Sequence, residues 1–229
     1  MRPALPLALA LCLAACADPA EAPAEAASTE RPPPSVSDRD TVTAEMAEGS
    51  ALRVGDRAPD FELPDVGGGT VRLSERLAEG PVVLTFYRGA WCPYCNTQLR
   101  DYQEALDRIR AAGASLVAVS PQTPDGSMSM QEKNDLRFAV LSDVGNEVSR
   151  DYGLVYQVDR ETRERYQAVG IELDSINGTA TWELPVPATY VIRPDGTIAY
   201  AFVEADYTTR ASARQVLDAL ADLSVSRAS

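Results

Sequence analysis

Histidine is missing altogether from the 229 residues, and cysteine occurs only four times. Without an imidazole there is no Cys-His hydrolase and no Ser-His-Asp triad, and copper carriers that ligate through histidine drop out as well. A structural zinc site needs four nitrogen or sulfur ligands, and the cysteines within the folded part supply too few. Beyond the first residues no apolar run is long enough to cross a bilayer as a helix, which takes about 20 residues. Positive charge is scarce too: 21 Lys and Arg stand against 34 Asp and Glu, for a net charge of −13 and an isoelectric point near 4.5. That balance argues against nucleic acid and anionic lipid surfaces as direct partners.

What is present begins at the front. Residues 2–16, "RPALPLALALCLAAC", give one positive charge and then an apolar run too short to span a bilayer. This is the pattern of a secretory signal peptide over residues 1–15. Its end, "LAAC" at 13–16, resembles the bacterial lipoprotein box. The resemblance implies that Cys16 is acylated and becomes the mature N-terminus, a membrane anchor of several acyl chains where one chain alone binds only marginally. The expected location is therefore outside the cytoplasm, lipid-anchored and facing the periplasm. Ala17 rather than aspartate after the cysteine implies the outer membrane by the same resemblance. Residues 16–50, rich in Ala, Pro, Glu and Ser, read as a flexible tether. The folded domain is expected over residues 51–225.

Removal of Cys12 with the signal and acylation of Cys16 leave Cys92 and Cys95 as the thiols. A bridge between them closes almost no loop, so it contributes little as a structural staple. With hydrolase triads and zinc set aside, redox chemistry remains.

The surrounding pattern is that of an α/β domain. "PVVLTFYRG" at 81–89 is a β-branched and aromatic run of the kind that forms a strand buried on both faces. From Cys92 the apolar positions change period: Cys92, Cys95, Leu99, Tyr102, Leu106 and Ile109 form one helical stripe that stops at Gly113. "ASLVAVSP" at 114–121 is a second buried strand, which completes a βαβ unit. Pro194-Asp195-Gly196 marks a hairpin, and Ala213, Val216, Leu217, Leu220 and Leu223 line a last amphipathic helix. Short helices are expected near 128–134, 146–151 and 160–168 and a strand near 138–141, while 170–184 reads as loop or edge hairpin. The order is that of a thioredoxin fold, a βαβ unit then a β-hairpin and a C-terminal helix, with a central mixed sheet flanked by helices.

Cys92 falls at the helix start, where backbone N–H groups and the helix dipole favour a thiolate. Pro93 pre-sets the first helical residue. Cys95, one turn on, lies on the same face and can release a partner bound to Cys92. Arg88 just upstream can add positive potential, and Trp91 either walls the site or packs as core.

"WCPYC" in a βαβ unit, with Tyr94 between the cysteines, is similar to the active sites of thioredoxins and glutaredoxins. Val186-Pro187 before "ATYVI" resembles the cis-proline of that superfamily, which implies that it lies beside the cysteines and exposes backbone to substrate. "VGDRAPDFELPDVGGGTVRLSE" at 54–75, "VSPQTPD", "VLSDVGNEVSRDYGL" and "PATYVIRPDGTIAYAFVEADYTTR" extend the resemblance to the alkyl hydroperoxide reductase and thiol-specific antioxidant (peroxiredoxin) family, in particular its branch with "WCPYCNxQLR". In the register of typical members Cys95 is the peroxidatic cysteine and Cys92 stands where a threonine is usual. Pro187 occupies the strand segment that usually carries a peroxide-polarising arginine. In the thioredoxin register Cys92 attacks and Cys95 resolves, which the helix-start argument prefers. The resemblance implies a thiol oxidoreductase that reduces hydroperoxides through a Cys92/Cys95 dithiol-disulfide cycle, regenerated by a thioredoxin-type reductant, with no cofactor. Exchange with protein disulfides is the alternative, and a redox-inactive tethered scaffold a third reading.

Overall fold

The computed structural model describes residues 41–228. The signal peptide and Cys16 lie outside the described residues. In chain order the elements are α1 (Ala44–Ser50), β1 (Glu62–Pro64), β2 (Thr70–Arg72), α2 (Leu73–Glu79), β3 (Val82–Phe86), α3 (Pro93–Ala111), β4 (Ser115–Ser120), α4 (Pro124–Lys133) and β5 (Ala139–Ser142). They continue as α5 (Glu147–Asp151), β6 (Val155–Gln157), α6 (Arg160–Ala168), α7 (Leu173–Asn177), β7 (Glu183–Pro185), β8 (Ala188–Ile192), β9 (Ile198–Val203) and α8 (Ala213–Ala228).

The central sheet has five strands in the order β5-β4-β3-β8-β9. β3 pairs parallel to β4, and β4 to β5, while β8 runs antiparallel to β3 and to β9. It is a mixed sheet, with the βαβ unit on one side of β3 and the hairpin on the other. Every residue of β3 is buried, because both faces of the sheet are covered and the pleat sends alternate side chains to opposite sides. Val83, Leu116 and Ala118 join one core with Leu99, Tyr102, Leu106 and Ile109 of α3 and Val216 and Leu220 of α8. Val82, Leu84, Phe86, Val117 and Val119 point the other way, onto Phe61, Leu73, Leu77 and Tyr152.

The helical stripe read from the sequence is the buried face of α3, and each of its six members is at most 1% exposed. Gly113 takes φ +77 just beyond the helix, where a left-handed residue ends it. A Cβ on Gly80 would come within 2.2 Å of the Gly113 carbonyl oxygen, so the turn into β3 passes the turn into β4 too closely for any side chain.

Three details differ from the sequence reading. The stretch assigned to the tether ends in a helix: Thr43 caps α1 by accepting from the Met46 N–H, and Ala47 is 1% exposed. Small residues can be buried where a backbone packs closely, a signal that composition alone reads as tether. Residues 170–184 hold the short helix α7, and β7 then pairs with β6 as a separate two-stranded sheet. The Val186-Pro187 bond is trans, since no cis peptide occurs among the described residues. Trans is the lower state for X-Pro by about 0.5–1 kcal/mol. Here the approach to Pro187 is also held, by the Val155–Pro185 pairing and by the Val186 N–H donating to the Leu154 carbonyl.

Candidate functional site: a roofed dithiol

β3, the central strand, delivers the chain to Tyr87 and Arg88 beyond its carboxyl end, and α3 begins five residues after Arg88, at Pro93. The turn between them is held from several sides. The Cys92 N–H donates to the Gly89 carbonyl (3.1 Å) and the Ala90 N–H to Gln122 Oε1 (2.6 Å). Asn96 Nδ2 reaches back to the carbonyls of Ala90 and Cys92, both at 2.8 Å, and its own Oδ1 accepts from Asn134 at 3.0 Å. Gly89 adopts φ +147, and a Cβ there would stand 2.4 Å from the Trp91 indole nitrogen, so the turn admits only glycine. Cys92 is the N-cap of α3, Pro93 the first helical residue, and Cys95 sits in the first turn.

Both thiols are free and almost completely enclosed, with Cys92 1% and Cys95 0% exposed. Their environments push them apart. Hydrogen bonding from the Cys95 side chain, aided by the Cys95 backbone and by Arg88 and Arg210, outweighs burial and brings Cys92 down to about 6. Burial, and the hydrogen bond made with Cys92, push Cys95 well above the ordinary thiol range. At neutral pH the pair is a thiolate at Cys92 beside a thiol at Cys95, the protonation state in which one sulfur attacks and the other resolves.

Arg88 is not a solvated surface charge: it is 2% exposed. Its guanidinium carbon lies 4.1 Å from the ring centroid of Tyr207, 4.9 Å from that of Trp91 and 5.8 Å from that of Tyr166, and it donates to the Tyr166 hydroxyl. Ring faces carry negative potential, so this aromatic box compensates a buried cation. Trp91 and Tyr166 also pack together at 5.2 Å, and the second ring comes from α6 in the segment between β6 and β7. Trp91 thus touches the Arg88 guanidinium and also packs against the buried cluster of Val158, Leu173, Trp182 and Leu184. Tyr94 stands on the outside, 42% exposed and edge-on to Tyr207 at 5.8 Å.

The roof is the loop between β9 and α8. Its shape is set by Asp206, whose carboxylate accepts from the Thr208 N–H (2.9 Å), the Thr208 hydroxyl (2.7 Å) and the Thr209 hydroxyl (3.4 Å). Arg210 follows. Its Nε donates to the Tyr207 carbonyl at 2.8 Å, and its Nη2 reaches Cys95 Sγ at 3.5 Å and Cys92 Sγ at 4.0 Å.

Among the residues read from the sequence, Arg88, Trp91, Cys92 and Cys95 come together. Pro93 and Tyr94 form the outer rim, and Val186 and Pro187 lie buried at the start of β8, whose Ala188 pairs with Phe86. Tyr166, Tyr207 and Arg210 are additions that no spacing rule reaches, for Arg210 is 118 residues from Cys92. A groove of about 380 Å³ elsewhere, lined by Arg76, Arg110, Arg137 and Phe138 among others, includes none of these residues.

Residues 54–201 match the AhpC/TSA family. The chain belongs to that family. Among its AhpC/TSA relatives are the chloroplastic peroxiredoxin Q of Gentiana triflora, 32% identical over 123 residues that make up 54% of each chain, and peroxiredoxin Bcp of Escherichia coli K12, 32% identical over 103 residues, 45% of this chain and 65% of that one. The chain thus spans about half to two thirds of the length of these relatives. The fold is also that of peroxidoxin BcpB from Mycobacterium tuberculosis (TM-score 0.59, 24% identity, 76% of this chain and 97% of that one). A mutant of PrxQ from Xylella fastidiosa superposes with a TM-score of 0.61 at 18% identity, over 77% of this chain and 99% of the other. In this member a guanidinium, that of Arg210, reaches the sulfurs from the loop between β9 and α8.

Proposed function

We propose that the protein is a peroxiredoxin-type thiol oxidoreductase that reduces hydroperoxides through a Cys92/Cys95 dithiol-disulfide cycle. The carrying observation is the sulfur pair itself, one thiol driven toward thiolate and its neighbour kept protonated, both enclosed beneath an arginine-bearing loop. In the first step the Cys92 thiolate attacks the outer oxygen of the hydroperoxide. The O–O bond breaks, Cys92 becomes a sulfenic acid, and the leaving alkoxide or hydroxide takes up a proton. In the second step the Cys95 sulfur attacks Cys92 Sγ, the S–O bond breaks and water leaves. The Cys92–Cys95 disulfide is returned to the dithiol by two electrons from an external thioredoxin-type reductant.

The enclosure favours hydroperoxides over protein disulfides as the oxidant. With Cys92 only 1% exposed, a small molecule needs a slight movement of the loop, whereas a protein disulfide needs it removed. Residues 1–50 support an exported, lipid-anchored placement through Cys16, with the domain carried on the segment ahead of α1.

The test is stopped-flow mixing of the reduced mature domain with hydrogen peroxide, repeated with Cys92→Ser and Cys95→Ser. A second-order constant of about 10⁴ M⁻¹s⁻¹ or more, lost in Cys92→Ser and kept for a single turnover in Cys95→Ser, is the expected result. A constant no better than that of a free thiol moves the function to protein disulfide exchange.

A further inference from the structure

At the end of the sheet opposite the dithiol, arginines gather in a chain whose acidic residues outnumber its basic ones by 34 to 21. The groove of about 380 Å³ opens at the amino ends of β4 and β5, beside the last turns of α3. β3, β4 and β5 run parallel, so this end lies a strand's length from the sulfurs, which sit beyond the carboxyl end of β3. Arg76 comes from α2, Arg110 from α3 and Arg137 from the turn ahead of β5. Three separate elements thus bring a guanidinium to one groove.

The neighbouring carboxylates do not use up this charge. Glu79 lies 3.7 Å from Arg76 and Asp107 3.7 Å from Arg137, long contacts between exposed side chains of a kind that contributes little. Asp65 lines the groove, and its Oδ1 accepts from the Gly67 N–H at 3.0 Å. Arg110 is held by a carbonyl rather than a carboxylate: its Nη2 donates to the Arg137 carbonyl oxygen at 2.6 Å. That bond draws the two guanidinium-bearing residues together without neutralising either. Beneath them the floor is apolar and closed, formed by Leu106, Leu116, Leu136 and Phe138. One polar atom interrupts it. Ser115 Oγ is buried and has no hydrogen-bond partner among the described residues, which is uncommon for a buried hydroxyl.

We propose that this groove is a binding site for a small organic dianion, a phosphomonoester or dicarboxylate with a short apolar body. Guanidinium forks match the paired oxygens of phosphate and carboxylate, and several forks on one groove call for more than one negative charge. The apolar body covers Leu116 and Phe138, and Ser115 Oγ gains the hydrogen-bond partner that the protein does not supply. The volume is roughly a dozen times the ~30 Å³ that a water occupies in the liquid, which fits a ligand of about a dozen non-hydrogen atoms. The proposal is independent of the peroxidase reading, since the groove shares no residue with the dithiol site.

Calorimetric titration of the full mature protein, reduced, at neutral pH and about 0.15 M salt, tests it with phenyl phosphate and with phthalate. Inorganic phosphate and phenol serve as the charged and apolar halves alone. At least one of the two organic dianions is expected to bind with a Kd below about 1 mM, at least about tenfold tighter than inorganic phosphate, while phenol gives no binding heat. The tighter of the two names the charged group of the natural ligand. Arg110→Gln and Arg137→Gln keep most of the side-chain stem and remove a charged donor, so each should weaken binding about tenfold or more, with thermal melts reporting folding. Both side chains are exposed, so the two variants check each other. Ser115→Ala should weaken binding a few-fold, the size of a neutral hydrogen bond. Absence of binding by both dianions below about 1 mM, inorganic phosphate binding as tightly as they do, or affinity unchanged in the folded arginine variants overturns the proposal.

Discussion

The half of the domain that holds the cysteines and the half that covers them are built on different principles. Beneath the sulfurs, β3 and α3 pack apolar side chains on regular periods, and Leu99, Tyr102, Leu106 and Ile109 are all essentially inaccessible. Above the sulfurs are a loop and a short helical insertion whose contacts are cation on ring and guanidinium on sulfur. The lower half fixes where the dithiol is. The upper half sets the access to the dithiol and adds to its charge balance, since Arg210 lowers Cys92 further after the larger effect of the Cys95 hydrogen bond. Positioning thus falls to regular packed elements and cover to a loop and a short insertion, the kind of segment on which functional residues are commonly carried.

The sharpest way to break this division is to damage the lower half. Leu99 is fully buried between α3 and the sheet, and truncation to alanine removes about three methylene-sized groups and leaves a cavity. Leu99→Ala is expected to lower unfolding stability by about 3 kcal/mol, within the 2–5 kcal/mol typical of such sites, as measured by urea denaturation of the reduced protein. The thiolate midpoint of whatever remains folded should stay near its original value. A loss below about 1 kcal/mol would mean that α3 is not the rigid platform that the contrast requires.

The lower half was also the part legible in the sequence. Its strands announce themselves as β-branched runs and its helices as 3.6-residue stripes, so β3, α3, β4, the β8–β9 hairpin and α8 follow from periodicity. The helix-start argument likewise picks Cys92 over Cys95 before any coordinates. The upper half carried no such signal. Tyr166 sits on α6, where no residue is fully buried, and Tyr207 and Arg210 lie in a polar loop that reads as solvent-facing. Their meeting with Arg88 is a property of the closed chain, not of any local window. The buried state of Arg88 was hidden for the same reason, because arginine is almost never fully buried without compensation and its compensators are rings supplied from two distant segments.

The pH dependence sharpens the comparison at intermediate size. Cys92 is lowered from an ordinary value of 9.0 to about 6, chiefly by hydrogen bonding from Cys95, with Arg88 and Arg210 contributing. Iodoacetamide alkylation should therefore rise about tenfold per pH unit below 6 and level off above 7. The accompanying stability runs in a fixed direction. A group whose folded value is depressed favours the folded state above its unfolded value and loses that advantage as pH falls through its folded value. The reduced protein should thus gain stability relative to Cys92→Ser as pH rises from 6 to 9, and the gain should be gone below 6. A midpoint near 9 would show that neither the Cys95 hydrogen bond nor the two guanidinium groups lower the sulfur.

The smallest expected effect on stability belongs to the roof, and it gives the most selective test of its role. Tyr207 is 41% exposed, and its ring lies over the Arg88 guanidinium at 4.1 Å. Such a contact near the surface contributes about 0.5–1 kcal/mol, so Tyr207→Ala should shift urea unfolding by no more than about 1 kcal/mol. The same change removes the ring that rests against Tyr94 and lifts part of the cover from sulfurs that are otherwise 1% exposed or less. A bulky aromatic disulfide reagent should then gain access, and its rate relative to that of small iodoacetamide should rise severalfold in the variant. Because both reagents need the same thiolate, the ratio cancels any change in its charge and reports cover alone. If the ratio is unchanged while stability falls by several kcal/mol, Tyr207 belongs to the platform, and the boundary between the two halves runs outside the loop.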